Sequence, residues 1–137
     1  MRFKTITGKE KFQHIEKYRI KWDKPSLSKF QFGVKQFLKP YWKQQVCYEE
    51  MPVAGTRLRI DIYNASKRIA IECDGKQHDE YNKFFHKKNK WNYFFQIKRD
   101  YKKYHWCEIN NIKLIQIKPK DLPLSLKFFK EQGISLI

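Results

Sequence analysis

Three carboxylates and a histidine fall close together in an otherwise strongly basic chain. Asp61 lies in the run Arg57-Leu-Arg-Ile-Asp-Ile-Tyr63. Glu72, Asp74 and His78 lie in Glu72-Cys-Asp-Gly-Lys-Gln-His78. Both regions alternate. Leu58, Ile60 and Ile62 stand against Arg57, Arg59, Asp61 and Tyr63, and Ile69, Ile71 and Cys73 stand against Ala70, Glu72 and Asp74. A period of two predicts a strand with one apolar face. The acids then share the polar face of two neighbouring strands, about 4.8 Å apart, with alternate residues about 6.7 Å apart along each. Carboxylates this close resist ionising together unless a positive group sits among them. Mg2+ or Mn2+ suits a few carboxylates plus the phosphate oxygens of a substrate. Such an ion can activate water and stabilise charge on a phosphate in flight. His78, past Gly75, would stand just beyond the strand, where it can take a proton from water or give one to a leaving oxygen. Taken singly, an Asp on a strand is a solvated face residue and a His in a loop a surface residue. Lys and Arg side chains could also neutralise Glu72 and Asp74. The conjunction of these residues is what points to catalysis.

The totals agree with a polyanionic partner. The chain has 137 residues, with 30 Lys and Arg against 14 Asp and Glu, a net charge of +16. That length suits one domain with one modest core. Nucleic acid is the first partner such a charge predicts, and an anionic membrane the second. Hydrophobic content of 41% and aromatic content of 17% argue against disorder. Cys47, Cys73 and Cys107 are too far apart for a zinc ribbon or a redox CxxC and read as small buried thiols of a reducing compartment. No secretory segment follows Met1 and no apolar run is long enough to span a membrane, so the expectation is a soluble cytoplasmic protein with no membrane partner.

The elements that must position the acids follow from the same patterns. Thr7-Gly-Lys-Glu10 reads as a capping box opening a short helix through Phe12 and Ile15, or else residues 1–24 form a basic arm. A helix is predicted over Ser26 to Leu38, with a stripe of Leu27, Phe30, Val34, Phe37 and Leu38, ended by Lys39-Pro40. Gln31 borders that stripe. Strands are predicted over 44–50, over 57–63 and through the Glu72 run, as an antiparallel meander. Residues 79–92 mix Lys83, Lys87, Lys88 and Lys90 with Phe84, Phe85, Trp91 and Tyr93. A long helix follows to about Asn110, with Ile97, Tyr101, Tyr104 and Cys107 or Glu108 as its inward line and Asp100 at the border. Asn110-Asn111 caps it. Lys113 to Ile117, apolar on both sides, reads as a central strand, and Leu124 to Gln132 as a last helix. The fold class is α/β, a mixed sheet flanked by helices on both sides, in the order helix, three strands, helix, strand, helix.

This arrangement resembles the PD-(D/E)XK, or restriction-endonuclease-like, superfamily, through Asp61 on one strand and Glu72-Cys73-Asp74 on the next. It is most similar to the group around the very-short-patch-repair endonuclease and the EDxHD homing endonucleases, through Glu72-Cys-Asp-Gly-Lys-Gln-His78, Arg99-Asp100 and the apolar strand to Ile117. The resemblance covers about residues 25–118, leaving 1–24 as a basic extension and 119–137 as a C-terminal helix within one nuclease domain. It implies a restriction-endonuclease-like core and hydrolysis of a DNA phosphodiester by water with Mg2+ or Mn2+. Asp61 would be the first metal ligand and Glu72 or Asp74 the second acid, with Asp74 favoured. His78 would be general base or acid, and Asp100 would orient His78 or a metal-bound water. The superfamily's usual Lys is replaced by Asp74. The group's early Ser-x-x-Glu is here Ser28-Lys-Phe-Gln31. Gln31 would then be a positioning residue, and whether Glu49 or Glu50 supplies the missing acid is open. Arg57 and Arg59, on the face of Asp61, would grip the scissile strand. Lys83, Lys87, Lys88, Lys90 and Trp91 would neutralise phosphates or stack on bases. Lys76, Gln77 and Arg99 count as further DNA contacts. A double-strand cut would need a homodimer. Phage or mobile-element homing and repair nicking fit this reading. A junction resolvase and a non-catalytic nucleic-acid-binding protein are the alternatives.

Overall fold

The structure is a computed structural model that describes residues 1–75 and 90–137; the side chains of 90–94 and 96 are outside the description. A short hairpin pairs β1 (Arg2–Lys4) with β2 (Glu10–Phe12), and a 3-10 turn follows at Glu16–Tyr18. Helix α1 (Lys29–Trp42) leads into strands β3 (Cys47–Pro52), β4 (Arg59–Asn64) and β5 (Ile69–Cys73). Helix α2 (Lys90–Ile109), strand β6 (Lys113–Ile117) and helix α3 (Leu126–Glu131) complete the described chain. The sheet order is β3-β4-β5-β6. The first three strands are antiparallel neighbours, and β6 runs parallel to β5. The result is a mixed four-stranded sheet in an α/β fold.

Two apolar cores lie on the two sides of the sheet. Val34, Leu38 and Trp42 of α1 and Phe129 of α3 pack with Ile62, Ile71, Ile115 and Ile117. On the other side Trp106 and Cys107 of α2 pack with Phe3, Tyr63 and Ala70. Phe3 meets Trp106 at 5.1 Å between ring centres, which seats the hairpin on α2. Asn110 fixes the same joint. Its Oδ1 accepts from the Lys4 backbone N–H at 2.7 Å, and its Nδ2 donates to the Lys4 carbonyl at 3.0 Å.

Several elements depart from their expected form. The Thr7 to Glu10 segment is the turn of the first hairpin, with Gly8 in the left-handed region at φ 89°, so no helix opens there. Helix α1 starts later than its stripe implied, because Ser28 and not Ser26 is the N-cap: the Ser28 hydroxyl accepts from the Gln31 N–H at 3.0 Å. Leu27 is therefore exposed, and the inward positions are Gln31, Val34, Lys35, Leu38 and Trp42. Pro40 lies within the last turn of α1, where buried Leu38 and Trp42 hold the helix to the core despite the missing N–H. Strand β6 is at the edge of the sheet, not its centre. On α2 the inward line is Lys103, Trp106 and Cys107, continued by Asn110 just past the helix end, while Ile97, Tyr101 and Tyr104 face outward. That face carries a Lys and an Asn, so an apolar count misplaces it by about one residue. Asn111 does take the left-handed conformation, at φ 55°. No helix of the described residues is long and apolar enough to cross a membrane.

Candidate active site

The register of three adjacent strands sets three acids in one row. Pairs Glu49 with Ile62 and Met51 with Ile60 bring Glu50 opposite Asp61. Continuing the pairing of Ile62 with Ile71 by one step brings Asp61 opposite Glu72. Their contacts interlock. The Asp61 N–H donates to Glu72 Oε2 at 3.0 Å, and the Cys73 N–H donates to Asp61 Oδ2 at 2.8 Å. The row lies where β5 runs out into Asp74 and Gly75. The Asp74 N–H continues the sheet by donating to the Ile117 carbonyl at 2.9 Å.

Helix α2 supplies one cation to this row. The Lys103 ammonium pairs with Glu72 Oε1, both side chains being largely buried. Asp100, three residues earlier on α2, is close enough for its charge to act on Lys103. Burial alone would lower the Lys103 pKa, but the Glu72 and Asp61 carboxylates more than offset it and hold the group above its ordinary value. Burial pushes Glu72 up to about 8, and the adjacent Asp61 charge pushes in the same direction, against the pull of Lys103. Glu50 is raised to about 7, by burial first and by Asp61 next, with a hydrogen bond from Gln31 opposing the rise.

A second charged cluster adjoins the row from α1. Lys35 is fully buried and donates to the carbonyls of Lys21 and Lys24, at 3.0 and 2.6 Å, and to Glu49 Oε1 at 3.1 Å. Glu49 Oε2 accepts from Ser26 at 2.6 Å and from Gln31 Nε2 at 2.9 Å. Gln31 Nε2 also lies 3.4 Å from Glu50 Oε2. Gln31 is thus at the site, with its amide nitrogen turned to carboxylates.

The fold brings together Asp61, Glu72 and Gln31, and adds Asp100 at the border. Arg59 is exposed two residues before Asp61 on β4, while Arg57 is exposed in the segment before that strand. Arg99 is exposed on α2. Lys76, Gln77, His78, Lys83, Lys87 and Lys88 lie outside the described residues, as do the side chains of Lys90 and Trp91. Lys103 and Lys35 were not anticipated. Lys103 had a signal, its place three residues after Asp100 on one helix face. Lys35 had none, since it occupies an apolar stripe position. Cys47 and Cys107 are buried, and burial holds their thiols near 12; Cys73 is half-buried and also raised.

Among the described residues no three His, Cys, Asp or Glu side chains form a group ready to hold a metal ion. The donor set nevertheless suits a hard cation of the Mg2+ type. Mg2+ takes one or two carboxylates and fills its remaining positions with water and substrate oxygens. Asp61 and Glu72 are such a pair, and an ammonium already occupies the cationic place beside Glu72.

No family model matches the chain, and no solved structure matches it. The chain is similar to Uncharacterized protein 033L of Invertebrate iridescent virus 3, 35% identical over 89 residues, which are 65% of this chain and 45% of that protein. It is also similar to Uncharacterized protein 094L of Frog virus 3 (isolate Goorha), 39% identical over 66 residues, 48% of this chain and 43% of that protein. The matched part of the chain spans less than half the length of each of these curated relatives.

Proposed function

We propose that the chain is a metal-dependent DNA endonuclease with a restriction-endonuclease-like core. One observation carries this reading: among the described residues, the row of Glu50, Asp61 and Glu72 is met by one ammonium, Lys103, which pairs with Glu72. With all groups ionised, three negative charges against one positive leave two uncancelled, the charge of one divalent cation. Burial first, and the neighbouring Asp61 charge second, hold protons up to about 7 on Glu50 and about 8 on Glu72, and a bound cation would displace them. The net charge of +16 supports a polyanionic substrate.

In this reading Asp61 holds the ion together with Glu72 or Asp74. The ion, when bound, supplies a polarised water and charge neutralisation for a phosphoryl group. The chain's own residues do the rest. Lys103 holds Glu72 in place, and Asp100 sets the ammonium. His78 exchanges a proton with the attacking water or the leaving oxygen. Arg59 and Arg99, both exposed, contact backbone phosphates, as do Arg57 and the basic residues from Lys76 to Lys90.

The test is cleavage of supercoiled plasmid in EDTA, Mg2+ and Mn2+. Asp61→Ala should lower metal-dependent nicking by about a thousandfold, the rate equivalent of roughly 4 kcal/mol. An Asp61→Ala protein that cuts as fast as wild type would remove Asp61 from the metal site. A wild type that binds DNA in a salt-dependent way, yet cuts neither plasmid nor a four-way junction with either metal, would favour the non-catalytic binding protein.

A further inference from the structure

We infer that Gln31 is a positioning residue: held by Glu49, which Lys35 anchors, it fixes the Glu50 carboxyl beside Asp61 in the row of acids. The inference rests on the reading of that row as a cation site.

The chain of contacts begins at a group with no freedom. Lys35 is fully buried and has three acceptors, the carbonyls of Lys21 and Lys24 and the Glu49 carboxylate. An ammonium has three protons, so Lys35 is saturated. Glu49 is held from three directions, by Lys35 on one oxygen and by Ser26 and Gln31 on the other. Gln31 is 4% exposed, and the Ser28 cap holds its backbone. Two carboxylate neighbours identify its inward atom as the amide nitrogen, which has one proton for Glu49 and one for Glu50. The last link, at 3.4 Å, is the longest, so Glu50 is guided and not clamped.

The backbone supplies a second, independent observation. Successive residues of a strand point to opposite faces, yet Glu49 and Glu50 both reach Gln31. Glu50 has φ 54°, the left-handed region, within β3. That conformation costs a non-glycine residue on the order of 1 kcal/mol or more and persists where surrounding contacts impose it. Among the described residues the other non-glycine cases, Arg68 and Asn111, are in turns. At Glu50 the strained turn of the backbone accompanies a carboxyl that reaches the same Gln31 amide as Glu49, while the register keeps it opposite Asp61.

Gln31→Glu tests this with little change of shape. It removes both N–H donors: the new carboxyl either repels Glu49 and Glu50 or keeps one proton and serves one of them, so the two-pronged hold on Glu50 is lost. Mn2+ affinity of the DNA-free protein, followed by electron paramagnetic resonance of the free ion, should weaken about 10- to 100-fold, the usual cost of losing a supporting contact behind a metal ligand. Gln31→Met removes the donor without adding charge and serves if Gln31→Glu does not fold; it too should weaken Mn2+. A metal-free readout runs beside these. The side-chain amide resonances of Gln31 should shift in Glu49→Gln and in Glu50→Gln. Tighter Mn2+ binding by Gln31→Glu would mean that residue 31 sits in the ligand shell, and would overturn the inference alone. An amide that responds to Glu49→Gln and not to Glu50→Gln would do the same. A wild type that binds no Mn2+, with the amide still sensing Glu50→Gln, would instead overturn the cation reading and leave the positioning link standing.

Discussion

Two lysines, Lys35 and Lys103, each enter the protein interior to meet a glutamate, but their surroundings differ in charge balance. Around Lys35 every charge is answered. One ammonium meets one carboxylate, two carbonyls complete its hydrogen bonds, and Gln31 adds a neutral amide. Around Lys103 the same pairing is overloaded, because Glu72 is followed by Asp61 and Glu50 along the row. The first cluster is a joint between α1 and β3. The second has more acids than cations among the described residues, and burial, with the Asp61 charge next, pushes its glutamates up to about 7 and 8. A closed ion pair is structural; an ion pair with surplus acids beside it is where the proposed cation would add its charge.

The largest expected effect tests the closed side. Lys35→Met should destabilise the fold by about 3–5 kcal/mol, because the Lys21 and Lys24 carbonyls and the largely buried Glu49 carboxylate all lose the one ammonium that joins them. Lys103→Met should cost less than about 2 kcal/mol near pH 6, since Glu72 can answer the loss by keeping its proton. Thermal or urea melts of the two variants check this. Equal losses would dissolve the distinction between the two clusters.

A smaller effect tests the open side through pH. Glu50 and Glu72 hold protons in the folded state, up to about 7 and 8, which the unfolded chain releases near 4.5. Across that window the folded state binds more protons, so these groups' contribution is full below about pH 4.5 and is lost as pH rises through about 7 to 8. The metal-free protein should therefore melt lower at alkaline than at mildly acidic pH, and Glu72→Gln should flatten the slope. Mg2+ competes with those protons, so it should raise the melting temperature more above pH 8 than at about pH 5. A melting curve that rises from pH 5 to pH 8, or Mg2+ stabilisation greatest in acid, would break the account.

How much of this was legible in the sequence depends on the range of the interaction. The strands of the Asp61 and Glu72 runs were legible because period-two alternation is local and sheet burial enforces it. The cap at Asn111 was legible because few residues accept a positive φ. Lys35 and Lys103 were not. Both occupy inward helix positions where a pattern reader expects apolar side chains, and they are buried only because partners distant in sequence receive them, Glu49 and Glu72. The same two lysines explain the misplaced helix faces: on α1 the inward set includes Gln31 and Lys35, and on α2 it includes Lys103. Glu50 was one of two candidates at its position, and only the register of β3 on β4, a long-range property, brings it opposite Asp61. Charged residues inside a basic chain are thus the ones that periodicity misreads, and they are also the ones that mark the site.

The smallest effect on stability comes from the outward face of α2. Tyr101 is 67% exposed and Tyr104 57%, beside exposed Lys98 and Lys102, and the Tyr101 ring lies parallel to His105 at 6.3 Å. The inner face of the same helix makes the core through Trp106 and Cys107. Removing the outer rings should therefore change stability by no more than about 0.5 kcal/mol each, as for other exposed positions. An aromatic face interleaved with lysines is nevertheless suited to unpaired bases, each stacked ring contributing about 1–3 kcal/mol. Tyr101→Ala and Tyr104→Ala should then weaken binding of single-stranded DNA by about tenfold each, measured by fluorescence anisotropy, while the melting temperature stays in place. Lys98→Gln and Lys102→Gln should instead reduce the salt dependence of binding, because they remove phosphate contacts. If the tyrosine variants bind DNA like wild type, the rings of α2 stack on no base, and the helix can contribute only through its exposed Lys98, Arg99 and Lys102.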